Sequence, residues 1–478
     1  MIKPIPSRNR IAKGALAPCL AGLSIALALL ISISARAAEQ PNILVILSDD
    51  VPWNTLGYQG GNAATPNIDS IARGGAELNH FYVQSVCTPT RACLMTGRYP
   101  LRTGTMARFN ASGGMLADER TLANAMKEAG YWTAIVGKWH LGNWEQAYLP
   151  RQRGFDHQYG CYNGVIDYFT RYRGRLYDWH RNDEPIQEDG YVTDLIGNEA
   201  TRLIEQHSED KPFFMYVPFT ASHGPLQAPE EVIDLYRDHY KDEKGLAKDR
   251  KPTVDAMVHI MDEAVGRILE AIDERGWTEN TLVVYFNDNG GAQDNFPLRG
   301  KKGTYYDGGT RVPAAMKWPG KIQAGTFIDE PVSVVDLYPT LINLAGGSLK
   351  QPLPIDGLDI WPVVTEGALS PRNEFIWSPQ VIRRDGWKLI DQGGLYYPHA
   401  KKAQELDTPS EAQLYQISED PHEETNLIDQ QPEIVASLRQ RLAEIKSQIR
   451  PAGPVEKIPR DAGIYGKEEA RTFQGWDQ

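Results

Sequence analysis

Residues 87–98 combine a cysteine, a proline and an arginine at a spacing that suits chemistry on an anion. Thr88 can cap a helix, and Pro89 suits the first turn, where a missing N–H costs nothing. The pattern therefore predicts that Cys87 lies just before a helix N-terminus, where unpaired N–H groups favour negative charge. Arg91 follows four residues later on the same face and can bind an oxyanion in a bidentate manner. A small buried cysteine beside a surface arginine is the alternative.

Two apolar runs end in paired polar side chains. Asp49 and Asp50 follow one run, and Asp288 and Asn289 follow another that begins at Thr281. Such continuous runs are typical of strands buried on both faces of a parallel sheet. Ligands gather at the carboxyl ends of parallel strands, and carboxylate and amide oxygens suit a hard cation. The sequence therefore predicts a cation site, although an isolated Asp-Asp pair also fits a helix cap beside a solvated acid.

Further basic groups follow strands or lie in a glycine-rich loop. Lys138 and His140 come after an apolar run and, two residues apart, can point the same way in extended chain. His223 follows another apolar run and has acid–base capacity. Lys301 and Lys302 lie in a basic loop whose backbone N–H and ammonium groups can approach an anion, and charge alone does not distinguish them. Each residue alone also fits an ordinary surface or core position.

The order of the predicted elements is that of an α/β protein. In a doubly wound sheet the carboxyl ends of the strands share one edge, so the groups above can converge there. We predict a large mixed, mostly parallel sheet sandwiched by helices, with a smaller C-terminal antiparallel sheet plus helix. The 478 residues are accordingly divided into a leader, a catalytic domain and an α+β subdomain, at residues 1–37, 38–365 and 366–478.

Residues 1–37 have the pattern of a signal peptide: a basic start, an apolar stretch and a small-x-small site at residues 35–37. A retained membrane anchor is the alternative, but the apolar run is short for a bilayer. Removing this segment takes away five basic and no acidic residues, so the formal net charge changes from −12 to −17. An acidic surface repels nucleic acid and anionic membranes. We expect an exported protein, periplasmic or secreted, with no nucleic-acid partner and no stable membrane association.

Three cysteines follow the predicted signal peptide, namely Cys87, Cys93 and Cys161. An odd number in an exported protein leaves one thiol with a separate fate. A Cys93–Cys161 disulfide with Cys87 modified would account for all three, but the sequence does not establish that pairing.

Residues 143–190 are rich in aromatic side chains and also contain Arg171 and Arg173. Aromatic faces and guanidinium groups suit sugar rings and anionic groups, so this stretch can line a substrate cleft. Packing is the expected role of most of these side chains.

The string Cys-x-Pro-x-Arg followed by Thr-Gly-Arg resembles the sulfatase signature. Over roughly residues 41–450 the chain resembles the type I sulfatases of the alkaline phosphatase superfamily. It is most similar to arylsulfatase B-like enzymes, which remove sulfate from N-acetylgalactosamine 4-sulfate. Thr90 departs from the family pattern, which usually has serine there. The matching stretches are residues 87–91, 137–142, 223–227, 288–291, 298–302 and, in the C-terminal part, 414–427.

The resemblance implies that a formylglycine-generating maturation enzyme oxidises Cys87 to formylglycine and that the enzyme uses Ca²⁺. The substrate it implies is a sulfated saccharide, with aryl sulfates as surrogates. The implied metal ligands are Asp49, Asp50, the modified Cys87, Asp288 and Asn289. The implied catalytic residues are Cys87, Arg91, Lys138, His140, His223 and Lys302.

Each implied role is chemically reasonable. Arg91, Lys138 and Lys302 would hold the formylglycine hydrate and the sulfate oxygens and stabilise developing charge. His223 or Lys302 would protonate the leaving alcohol. His140 would then take a proton so that sulfate leaves and the aldehyde is restored.

Two alternatives differ in class. A phosphatase or phosphonate hydrolase of the same superfamily would usually hold two metals and a serine or threonine nucleophile, and Cys87 with its following proline and arginine disfavours it. A non-catalytic glycan-binding homologue would be expected to lack some of the charged groups at the strand ends. None of those groups is missing from this sequence.

Overall fold

The computed structural model describes residues 1, 40–106, 114–143, 145–208, 210–391 and 411–450. Residues 2–37 of the predicted signal peptide and the last part of the predicted C-terminal subdomain, residues 451–478, lie outside the described residues. Within these ranges, none of the helices has both the length and the apolar character that crossing a bilayer requires.

One large sheet of ten strands occupies the centre of the described chain. Its five central strands run parallel to one another, so their carboxyl ends lie along one edge. Towards its two sides the strands pair mostly antiparallel. In spatial order the strands are β13 (Thr326–Ile328), β2 (Ala76–Leu78), β12 (Ala314–Lys317), β11 (Thr281–Asn287), β1 (Asn42–Ser48), β10 (Phe213–Pro218), β4 (Trp132–Val136), β5 (His157–Gly160), β8 (His180–Arg181) and β9 (Glu184–Pro185).

Helices cover both faces of this sheet, because successive strand side chains point to opposite sides. In β1, Ile43, Val45 and Leu47 join the apolar core on one face, and Leu44 and Ile46 join the core on the other. The first core is completed by α2 (Cys87–Thr96), α4 (Leu122–Glu128) and α9 (Val334–Leu344). The second is completed by α1 (Pro66–Arg73), α5 (Val192–Glu205) and α7 (Leu246–Glu274).

A smaller antiparallel sheet of four strands follows, as predicted. It consists of β15 (Glu374–Ser378), β16 (Val381–Arg384), β17 (Trp387–Ile390) and β18 (Gln413–Gln416), and α11 (Pro432–Lys446) packs with it. Side chains of this sheet, including Ile382, Leu389 and Leu414, belong to the first core of the main sheet. The small sheet is thus continuous with the body of the protein, and the domain boundary at residue 365 stays a prediction.

The remaining elements are short. The helices are α3 (Pro100–Thr103), α6 (Glu230–Asp234), α8 (Asp307–Thr310) and α10 (Trp361–Glu366). Two-residue strands form two minor pairs, β3 (Phe81–Tyr82) with β14 (Val332–Ser333) and β6 (Tyr172–Arg173) with β7 (Leu176–Tyr177).

The three cysteines of the described chain are buried free thiols, so the Cys93–Cys161 disulfide suggested by the cysteine count is wrong. The physical reason is the sheet itself. Cys93 belongs to the apolar core on one face and Cys161 to the core on the other. A disulfide requires the two Cα atoms to lie within about 7 Å, which opposite faces of a sheet do not provide.

This arrangement predicts the outcome of a thiol titration. In a chain lacking residues 1–37, a thiol reagent under denaturing conditions is expected to count three thiols when Cys87 is unmodified and two when it is modified. Prior reduction is expected to leave either count unchanged. A gain of two thiols on reduction would show that the Cys93–Cys161 disulfide exists after all.

Candidate functional site

The edge formed by the carboxyl ends of the central strands carries the predicted groups. Strands β1 and β11 pair in register up to Ser48 opposite Asn287, so the polar pairs that follow begin at the same level. The residues at or just beyond these strand ends are Asp49 and Asp50 after β1, Asp288 and Asn289 after β11, Lys138 after β4, and His223 beyond β10.

Asn287 fastens the ends of β1 and β11 together, a role that sequence reasoning missed. Its Nδ2 donates to the carbonyl oxygen of Val51 at 2.8 Å, and its Oδ1 accepts from Ser48 Oγ at 3.1 Å and from Val51 N at 3.3 Å. The amide thereby holds the turn that follows the two aspartates. An amide residue closing an apolar strand was the only signal in the sequence.

Helix α2 begins two residues earlier than predicted. Val86, in extended conformation, is its N-cap and Cys87 is its first residue, whereas Gly97 ends it at a φ of 65°. Thr88 is therefore not the cap, and its buried hydroxyl has no hydrogen-bond partner among the described residues. Thr90 ties the helix start to the preceding loop, because its hydroxyl accepts from Gln84 N at 3.0 Å. Cys87 is thus held rigidly at the edge of the sheet.

The thiol of Cys87 lies between a carboxylate and an ammonium group. Its Sγ is 3.6 Å from Asp49 Oδ1 and 3.4 Å from Lys302 Nζ. Burial, together with Asp288 and Asp49, raises the pKa of this thiol to about 12. Because the thiolate is the nucleophilic form, the unmodified cysteine is a poor nucleophile at neutral pH.

Arg91 and Lys138 lie behind the carboxylates, with fully buried side chains. Arg91 Nη2 is 3.1 Å from Asp49 Oδ2 and 2.9 Å from Asp288 Oδ2, and Arg91 Nη1 donates to the Lys138 carbonyl oxygen at 3.0 Å. The Lys138 ammonium donates to Asp49. Burial raises the pKa of Asp49, but Lys138, Arg91 and Lys302 outweigh it and hold the pKa well below its usual range. These cations keep Asp49 ionised.

Lys302 and His223 occupy the open side of the site. The Lys302 ammonium is 2.6 and 2.7 Å from the two Asp50 oxygens, and His223 Nε2 is 3.7 Å from Asp50 Oδ2. Their side chains are 13% and 12% exposed, in contrast to the fully buried Arg91. Burial and the nearby Lys302 lower the pKa of His223 to about 4, so the free imidazole is neutral at pH 7. The sequence did not distinguish Lys301 from Lys302. In the structure it is the Lys302 ammonium that contacts Asp50 and Cys87.

His140 does not follow Lys138 in extended chain. Its φ is 58°, so the expectation of extended chain through this residue is wrong. Its backbone N–H donates to the Tyr162 carbonyl oxygen at 3.0 Å, and its ring packs on Gly164, where a Cβ would lie 2.3 Å from the ring. The predicted role of His140, which is to take a proton from the modified residue 87, stays a prediction.

The donor set at this edge fits a hard cation. Asp49, Asp50, Cys87 and His223 each bring one ligand atom to within 4.8 Å of the others. Asn289 Nδ2 donates to Asp50 Oδ1 at 2.7 Å, while its Oδ1 is buried without a hydrogen-bond partner in the part of the chain that the structure describes. Such an acceptor requires a compensating group, and carboxylate and amide oxygens favour Ca²⁺ or Mg²⁺ over softer metals.

The aromatic stretch serves mainly in packing. Tyr159, Tyr168 and Trp179 are buried in the second core. Arg171 is buried as well, and it donates to the carbonyl oxygen of Gly190 at 2.7 Å. Phe169 and Tyr172, at 44% and 42% exposure, are the most solvent-exposed aromatic side chains among the described residues of this stretch.

Comparison with known proteins gives consistent matches over most of the chain. The family model described as Sulfatase matches residues 41–348, and the model described as N-sulphoglucosamine sulphohydrolase, C-terminal, matches residues 300–448. Arylsulfatase J of Mus musculus is 33% identical over 492 residues, covering 90% of this chain and 81% of that protein. N-acetylgalactosamine-6-sulfatase of Mus musculus is 33% identical over 398 residues, covering 76% and 74%. The crystal structure of Ps i-CgsB in complex with k-i-k-neocarrahexaose aligns with a TM-score of 0.76 and 28% identity, covering 88% of this chain and 96% of that one.

Proposed function

This chain belongs to the sulfatase family, and we propose that it removes sulfate from a sulfated saccharide by means of a formylglycine at position 87 and a bound Ca²⁺. The observation that carries the proposal is the position of Cys87 Sγ between Asp49 and Lys302 at the strand edge. The names of the relatives support a saccharide substrate. They include a 6-sulfatase, so the 4-sulfate preference stays a prediction, as does export through the leader at residues 1–37.

Modification of Cys87 is supported by the environment of its thiol. A thiol with a pKa of about 12 attacks poorly, and its burial among carboxylates does not favour a thiolate. A hydrated aldehyde at this position would supply one hydroxyl for attack on sulfur and a second whose deprotonation lets sulfate leave. Thr90 retains the hydroxyl that the family pattern has at that position.

Ca²⁺ would be held by the oxygens of Asp49, Asp50, Asp288 and Asn289 together with the modified residue 87. When bound, it would make a neighbouring hydroxyl more acidic and offset the charge of the sulfate group. The buried Oδ1 of Asn289, which has no hydrogen-bond partner among the described residues, would gain one in the cation.

The basic side chains divide into two groups by exposure. Lys302, beside Cys87 on the open side, would bind the sulfate oxygens and stabilise their developing charge. Arg91 and Lys138, buried behind the carboxylates, would hold Asp49 ionised and in position. Their direct contact with the hydrate and the sulfate oxygens, which the resemblance implies, stays a prediction. Lys302, or His223 once it gains a proton on binding of the anionic substrate, would pass a proton to the leaving alcohol, and His140 would take one as sulfate departs.

Product analysis tests the proposal directly. We expect ion chromatography to detect inorganic sulfate released from at least one of several sulfated galactose or N-acetylgalactosamine oligosaccharides, and from an aryl sulfate. The matching phosphate monoester and phosphonate ester are expected to react at least about tenfold more slowly. Faster phosphate release would favour the phosphatase alternative, and saccharide binding without any turnover would favour the non-catalytic one.

A further inference from the structure

A buried ion cluster joins the small C-terminal sheet to the loop that carries Lys302. The ammonium of Lys388, on β17, lies 2.9 Å from Asp307 Oδ1 and 2.7 Å from Glu423 Oε1. All three side chains are fully buried, and we call them the Lys388 cluster. The Tyr82 hydroxyl donates to the second oxygen of Asp307 at 3.0 Å.

The cluster buries a protonated lysine, and that burial is costly. Burial lowers the pKa of Lys388, but Asp307 and Glu423 outweigh it and raise the pKa above its ordinary value. A buried charge set of this kind is weak evidence for stability, because desolvation offsets much of the attraction. Its best-attested use is to specify one arrangement of the elements it joins. The elements that the cluster joins are strand β17, the turn that contains Glu423, and helix α8, which begins at Asp307.

Asp307 begins helix α8, which packs closely against the residues that follow the carboxyl end of β11. Glu423 Oε2 accepts from the Asp307 backbone N–H at 2.7 Å. Two residues further on, the Gly309 carbonyl oxygen accepts from Gly290 N at 3.1 Å. The packing is so close that a Cβ at Gly290 would lie 1.8 Å from the Gly308 carbonyl oxygen. The cluster therefore fixes a helix directly against the neighbour of Asn289.

Glu423, together with Tyr415, also holds the other end of the loop. Arg299 donates to the Tyr415 hydroxyl at 3.1 Å and to the carbonyl oxygen of Glu423, and its guanidinium lies 4.1 Å from the centre of the Tyr306 ring. Between the two anchors, Lys302 N donates to the Gly291 carbonyl oxygen at 3.0 Å. Residues 299–307 are thus fastened at both ends to the small sheet and its following turn.

We propose that Lys388 and Glu423 are positioning residues for Lys302, acting through Asp307 and the loop of residues 299–307. This inference rests on the proposed role of Lys302 in binding sulfate. A lysine ammonium sits on a flexible four-carbon stem, so its placement depends on how firmly its backbone is held. When a site residue loses its supporting contacts and moves by about 1 Å, its contribution to binding or catalysis falls sharply.

A double-mutant cycle tests the proposal. Lys388→Met, Lys302→Met and the double variant are compared by calorimetry with inorganic sulfate and by kcat and KM for an aryl sulfate. Lys388→Met alone is expected to weaken sulfate binding and raise KM, each about tenfold. In the Lys302→Met background it is expected to weaken sulfate binding no further, because the two act as one unit.

Arg441→Met is the matched control. Arg441, on α11, pairs with Glu374 of β15 at 2.8 Å and with Glu444 of its own helix, neither of which belongs to the Lys388 cluster or to residues 299–307. This variant is expected to bind sulfate like the wild type. Should Lys388→Met fail to fold, Glu423→Gln removes one charge and keeps an oxygen for the Asp307 N–H. It is expected to show a smaller loss that also vanishes without Lys302.

Two results would overturn the positioning role alone: unchanged sulfate affinity and KM in a Lys388→Met variant that has only a lower Tm, or losses that simply add in the double variant. Additive losses would mark a purely structural role. A wild-type enzyme that neither binds nor releases sulfate would overturn the proposed function, and the positioning role with it.

Discussion

Replacing Cys87 by alanine is expected to abolish sulfate release, with kcat falling by at least about 10³-fold. The Cys87 side chain lies between Asp49 and Lys302, and alanine has no precursor of the aldehyde there. Cys87→Ser is expected to be nearly as inactive, because a single hydroxyl can accept sulfate but lacks the second hydroxyl needed to release it. Turnover of an aryl sulfate under saturating conditions is the measurement.

Cys93→Ala is the matched control for this prediction. Cys93 lies in the same helix and is equally buried, but it faces the apolar core, so its replacement is expected to leave kcat nearly unchanged. Mass spectrometry of the peptide containing residue 87 provides the chemical check, and a hydrazide reagent should capture an aldehyde in wild-type protein from the native host. An active enzyme whose Cys87 is a plain thiol would refute the formylglycine mechanism.

Replacing Asp288 by asparagine is expected to lower kcat/KM by about 10²–10³-fold and to reduce Ca²⁺ retained after gel filtration. Asp288 accepts from Arg91 Nη2 at 2.9 Å and from the Asp50 backbone N–H at 3.4 Å. Asparagine preserves the shape of the side chain but cannot supply the carboxylate charge that the proposed cation site would use. Metal analysis and kinetics on the same preparation provide the two readouts.

The stability of this variant is expected to separate a metal defect from misfolding. Burial, together with Asp49, raises the pKa of Asp288 to about 7. A carboxyl group whose pKa is raised on folding destabilises the metal-free protein as pH increases through that value. Asp288→Asn removes this cost, so the metal-free variant is expected to have a Tm at pH 8 no lower than that of the wild type.

Asp294→Asn is the corresponding control. Asp294 is exposed on the loop after Gly291, and its replacement is expected to change neither metal content nor turnover. Full activity and normal Ca²⁺ content in Asp288→Asn would remove Asp288 from the cation site. A large fall in Tm at every pH would instead point to a structural role for the carboxylate.

The sequence by itself determined the frame of the site. Apolar runs ending in Asp49-Asp50 and Asp288-Asn289 predicted buried parallel strands with polar carboxyl ends, and β1 and β11 have that form. This prediction succeeds because the pattern is local: a strand buried on both faces needs an unbroken apolar run, and its end is where polar groups first become tolerable. The resemblance of residues 87–98 to the sulfatase signature supplied the predicted reaction, which is the hydrolysis of a sulfate ester.

Only the tertiary structure decided how the side chains are used. Lys302 reaches Asp50 across 252 positions of sequence, and Arg91 reaches Asp288 across 197. No local pattern encodes such distances, so the choice between Lys301 and Lys302 and the burial of Arg91 depended on the packed fold. The two faces of the sheet likewise kept Cys93 and Cys161 apart.

The Lys388 cluster shows the same limit most clearly. In the sequence, Lys388 lies in a short apolar strand and Glu423 in a polar turn, and nothing links either to the glycine-rich loop. Folding brings both to Asp307 because the small sheet shares the apolar core of the main one. Local propensity selects strands and helices, whereas the pairing of distant charges follows from the burial of apolar surface, which brings them together whatever their separation in the chain.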